Sequence, residues 1–118
     1  MKKIWFLWVL ALVLFAGCHR GGVKTPELLL TEEQMVDVLA DSYLIEAQLN
    51  QRKSAGEDIT ALQVAYYDQL FEHYGITDSL FVQNLRYYTY QLPILERIMD
   101  SVNNRFQRNA ECGIRNAE

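Results

Sequence analysis

A chain of 118 residues, half of them hydrophobic, has room for one core and no more. Lys2 and Lys3 fall in an N-terminal leader, so the remainder sets nine basic residues against 15 acidic ones, scattered between Arg20 and Arg115 without a run. That balance excludes the clustered cations with which a protein grips nucleic acid, and on the same ground it disfavours anionic lipid headgroups as ligands.

Met1 to Lys3 form a charged start, Ile4 to Phe15 is an unbroken apolar run, and Ala16, Gly17 and Cys18 follow. The 12 apolar residues of that run are too few to cross a hydrocarbon core, which needs about 20, and suit an export signal over residues 1–17. Leu14, Phe15, Ala16, Gly17 and Cys18 resemble the lipobox of bacterial lipoproteins, with Phe15 where leucine is usual. The resemblance implies that the Cys18 thiol takes a diacylglyceryl group and that a signal peptidase then cuts before it, leaving Cys18 as the membrane-anchored N-terminus. Each buried acyl CH2 contributes roughly 0.8 kcal/mol, so two or more chains hold a protein permanently on its membrane.

Residues 18–30, with Gly21, Gly22 and Pro26 and no helical period, predict a flexible tether behind the acylated cysteine. Fully extended, His19 to Leu30 reaches about 43 Å at most. By resemblance to lipoprotein sorting in Gram-negative bacteria, the lack of Asp directly after Cys18 implies the outer membrane. By resemblance to Bacteroidetes-type lipoproteins, in which acids soon after the cysteine favour display on the cell surface, the lack of any acid from His19 to Lys24 implies its periplasmic face.

An all-α bundle of about four helices is predicted over residues 31–108: 31–53, 59–74, 78–91 and 93–108. Thr31 and Gln34 make a capping box for the first, and Met35, Val38, Leu39, Ser42, Ile45 and Leu49 give it an inward stripe. Asp58 is placed to cap the second, whose stripe is Leu62, Tyr66, Leu70 and Tyr74, widened by Tyr67 and Phe71. Gly75 supplies the left-handed residue that ends it, and Thr77 caps the third, with Ile76 and Phe81 placed as a hydrophobic staple. Phe81, Leu85 and Tyr88 face inward on that helix. Pro93 belongs in a first turn, so it opens the fourth helix, with the stripe Leu95, Ile98, Met99, Val102 and Phe106. Residues 109–118 predict a frayed tail, in which Cys112 is a leftover thiol.

Leu28 to Leu30 with Thr31 to Asp41, Glu46 and Ala47 resemble the opening of the DUF4296 domain of Bacteroidetes lipoproteins. Tyr74 to Thr77, then Phe81, Leu85, Arg86, Tyr87, Tyr88, Pro93 and Ile98, are similar to its glycine turn, its Arg-Tyr-Tyr stretch and its last helix. The resemblance runs from about Pro26 to Val102 and implies a lipoprotein without assigned catalytic residues.

No constellation for catalysis or cofactor binding emerges from the residues. A metal site is not expected, since His19 and His73 are the only histidines and Asp37 with Asp41 on one helix face make an ordinary solvated pair. With Cys18 committed to lipid and His19 in the tether, Cys112 with His73 is the only nominal thiol and imidazole pair, far apart in sequence. Seven tyrosines stand out, several of them on core stripes. Arg86, Tyr87 and Tyr90 form the candidate binding surface, because interfaces favour both residue types for contact area and hydrogen bonding. The resulting expectation is a non-enzymatic, membrane-anchored binding or adaptor module with an envelope protein as partner. The alternative is a small-ligand carrier or envelope enzyme with an inter-helix polar site of Asp37, Asp41 and Arg86, for which an enclosed polar pocket would speak.

Overall fold

The computed structural model describes residues 23–117, and over them the chain forms four helices: α1 (Glu32–Ser54), α2 (Thr60–Tyr74), α3 (Asp78–Thr89) and α4 (Leu92–Ala117). The leader and Cys18 lie outside the described residues. Among the described residues no helix is long and apolar enough to cross a membrane.

Local chemistry sets most of the boundaries. Thr31 Oγ1 accepts from the Gln34 N–H at 3.2 Å while Gln34 Oε1 accepts from the Thr31 N–H at 2.9 Å, closing the expected box at the head of α1. Asp58 still serves α2, one residue further out than a regular cap: Ile59 holds the cap position, and Asp58 Oδ1 accepts from the Thr60 N–H and hydroxyl. These bonds, the backbone one foremost, hold the Asp58 carboxyl below its ordinary pKa. Gly75 ends α2 at φ +63°, with its N–H donating to the Glu72 carbonyl and the Ile76 N–H to that of Phe71, a Schellman ending. Thr77 Oγ1 then accepts from the Leu80 N–H at 3.1 Å to start α3, and Pro93 lies in the first turn of α4.

Polar contacts give the directions in which the helices pack. Arg97 of α4 meets Glu32 at 2.7 Å and Arg105 meets Asp37 at 2.5 Å, so α1 and α4 run parallel. On the other side, the Tyr67 hydroxyl donates to Glu46 and that of Tyr74 to Asp41, so α1 and α2 form an antiparallel hairpin. The core joins Leu30, Met35, Leu39 and Ala40 to Tyr88 of α3 and to Ile98 and Val102 of α4. Leu49 and Leu70 are buried along the hairpin, outside this cluster.

Two expectations change. The tether over 18–30 is not free along its last residues, because Pro26 and Leu30 are buried and the backbone of Leu28 and Leu30 is bonded to α3. Leu30 supplies the apolar anchor, and α3 supplies the partners that a non-helical backbone needs once it leaves water. The tail expected to fray from 109 instead continues α4 to Ala117. A helix already nucleated by packing extends at one bond per added residue, and the single Gly113 costs only about 1 kcal/mol. Every residue from Gln107 to Gly113 on that extension is exposed.

Candidate functional site

Helix α3 divides its side chains between two tasks. Inward, Asn84 is fully buried and makes three bonds: its Oδ1 accepts from the Leu30 N–H at 2.8 Å, and its Nδ2 donates to the Leu28 and Leu80 carbonyls, each at 2.9 Å. One turn on, the buried Tyr88 hydroxyl donates to the Leu30 carbonyl. Burial first, then the charge of Glu32 and the neighbouring Tyr87, raises the Tyr88 pKa above that of a free phenol. Together Asn84 and Tyr88 clamp residues 28–30, the last part of a non-helical strap that runs over residues 23–30.

The three residues of the expected binding surface part company here. Tyr87 turns toward the core, with its ring edge-on to Tyr88 at 5.3 Å. Arg86 and Tyr90 stay outside, Tyr90 at 70% exposure, and Arg86 forms no ion pair among the described residues. With Gln83 they make one wall of an open hollow of about 720 Å³, and the other wall is the strap, through Val23, Lys24, Thr25 and Glu27. Sequence spacing put Arg86 and Tyr90 on one outward side and missed both Gln83 and the strap, because residues 23–27 have no period to mark them as part of the body.

The alternative polar site assembles differently. Asp37 and Asp41 are both half-buried, but the cation at Asp37 is Arg105, while Arg86 lies on the hollow with the strap. Asp41 accepts from the Tyr74 hydroxyl at 2.5 Å. Burial, then Asp41 and Asp37, raises the Tyr74 pKa well above that of a free phenol, against the opposing pull of Arg105. Tyr67 is pushed up to about 12 by burial and by Glu46. Each acid thus has a donor from a neighbouring helix, and the group acts as a polar seam joining α2, α1 and α4. Among the described residues no buried side-chain N or O lacks a hydrogen-bond partner, and no three His, Cys, Asp or Glu residues gather to hold a metal.

Two further surface features flank this seam. Between α1 and α2 lies a shallow groove of about 440 Å³, floored by Ile45, Tyr66 and Leu70, with the half-exposed Leu44 on its edge and His73 at its rim. Cys112 is exposed on the projecting end of α4 and His73 sits near the end of α2, so the nominal thiol and imidazole belong to different elements.

Compared with known proteins, residues 26–111 match the model of a family described as a domain of unknown function, DUF4296. No curated protein and no solved structure matches the chain.

Proposed function

Because the chain belongs to the DUF4296 family, whose description assigns no activity, we propose a function from its own surface: a lipid-anchored envelope protein whose helical body is a non-enzymatic binding module. The observation that carries this is the pairing of Arg86 and Tyr90, both exposed on the rim of an open hollow, on a helix whose other face is fully committed to core and strap. An exposed cation beside an exposed aromatic ring suits recognition, whereas catalysis calls for groups held in an enclosed site. The leader ending in Ala16, Gly17 and Cys18 supports the anchor and, with no acid from His19 to Lys24, a place on the periplasmic face of the outer membrane.

Two substitutions test the two parts. Cys18→Ser releases the protein from envelope membranes and abolishes its labelling by radioactive palmitate; a variant that still sediments with membranes and is still labelled refutes the anchor. Arg86→Ala combined with Tyr90→Ala leaves the melting temperature nearly unchanged, since both side chains stand in solvent, and abolishes retention of whatever envelope component the intact protein holds. Undiminished retention by the folded double variant removes this face as the binding surface.

A further inference from the structure

We infer that the hollow between the strap and α3 is the face that rests on the membrane, with Lys24 and Arg86 toward anionic lipid headgroups and Tyr90 at the interface. The inference rests on the anchor at Cys18 proposed above and names what that binding surface meets.

Chain length gives the first argument. Val23 is part of the hollow's wall and lies five residues after Cys18, so it stands no more than about 18 Å from the acylated cysteine however the chain between them runs. Docking of the strap removes the longer reach that a free tether to Leu30 would give. The end of the bundle formed by strap and α3 is therefore the end that stays beside the bilayer.

Charge gives the second. The hollow holds Lys24, Arg86 and Glu27, a local excess of positive charge on a body with 15 acidic residues. An anionic surface attracts this end and repels the rest, and both effects turn the bundle the same way. These interactions fade over about 8 Å at physiological salt, so they act on the end the anchor holds close. Lys24 and Arg86 are far apart in sequence, and only the fold sets them on opposite walls of one hollow. The scattering that argued against lipid headgroups thus does not hold at this face.

Side-chain type gives the third. Tyr90 is 70% exposed and Leu92, two positions on, is 65% exposed. A phenol ring has an apolar body and a polar tip and favours the boundary between headgroups and acyl chains, and an arginine can lay its stem on apolar surface while its head reaches phosphate.

Trp5 and Trp8 both lie in the leader, so the mature chain has no tryptophan and a single one can be placed as a probe. The lipidated protein carrying Tyr90→Trp is reconstituted into vesicles of phosphatidylcholine and phosphatidylglycerol with brominated acyl chains. Val64→Trp, on α2 and 59% exposed, serves as the remote control. The Tyr90→Trp protein loses most of its emission to the bromines with a blue shift, and the Val64→Trp protein keeps its own. Adding Lys24→Gln and Arg86→Gln to Tyr90→Trp, or omitting phosphatidylglycerol, restores emission several-fold. Equal quenching at both positions, or quenching indifferent to charge, overturns the inference while the anchor stands. Shielding of the Tyr90→Trp probe only after envelope proteins are added assigns the face to a protein partner and likewise overturns it. A protein that fails to float with the vesicles at all refutes the anchor first, and the orientation with it.

Discussion

Replacing Asn84 by alanine removes the clamp that holds the strap to α3, and its cost can be worked from the three bonds it breaks. The Leu28 carbonyl belongs to a residue 55% exposed, so water replaces the lost amide there. The Leu80 carbonyl lies within α3 and keeps its helical partner. The Leu30 N–H has neither recourse, because Leu30 is only 4% exposed. One buried orphan donor costs about 1 to 3 kcal/mol, and the gap left by the amide raises the total destabilisation to about 2 to 4 kcal/mol. Urea unfolding of the purified protein measures the total, and amide hydrogen exchange at Leu30 localises it: protection there should fall further than protection within α1. An unchanged unfolding midpoint, with the Leu30 amide as slow to exchange as before, would refute the clamp.

Three other outcomes follow from the same contacts. Gly75→Val should cost about 1 to 2 kcal/mol in thermal unfolding, purely from left-handed backbone strain, since a Cβ there meets nothing within 4 Å; an unshifted melting temperature would mean that α2 ends by other means. Because the Tyr67 pKa rises from 10.0 to about 12 on folding, the fold favours the neutral phenol, and that contribution is complete below pH 10 and lost as pH rises through about 12. Tyr67→Phe should therefore flatten the loss of stability across that window in urea titrations, and an identical slope would contradict the shift. Asp37 and Arg105 are each more than a third exposed at the side chain, so a double-mutant cycle to alanine should give a coupling under about 1 kcal/mol that shrinks in high salt; a salt-independent coupling of several times that size would show the seam to be far drier than its exposure indicates.

What could be read in advance was what depends on near neighbours in the chain. The Thr31 and Gln34 box, the Gly75 ending and the Thr77 cap need only residues a few positions apart, and each was legible at its correct place. The family was legible too, through short stretches such as Tyr74 to Thr77. Asn84 was missed because a mid-helix asparagine usually faces water, and its partners lie 54 and 56 positions earlier. One signal was present: Asn84 stands one turn before the buried Tyr88, on the inward side of α3. The choice between Arg86 and Arg105 as the cation for Asp37 depends on how α4 docks along α1, which no local pattern encodes. Tyr87 misled for a related reason, since its position beside the stripe suits either side until Tyr88 gives its ring a partner.

The parallel pairing of α1 with α4 has a consequence for the order in which the chain becomes safe from its neighbours. A polypeptide emerging from its N-terminus delivers α1 first and α2 soon after, and these can close into a hairpin through Tyr67, Tyr74 and the two acids they meet. The Met35, Leu39 and Ala40 side of α1 gains nothing from that hairpin, because its cover is Tyr88, Ile98 and Val102. Until residues past Val102 are free to fold, an apolar stripe of α1 stays open, the condition in which partly folded chains associate. Stalling or truncation anywhere before α4 therefore leaves a sticky hairpin with no way to bury itself, since Ile98 and Val102 of α4 are what close the core.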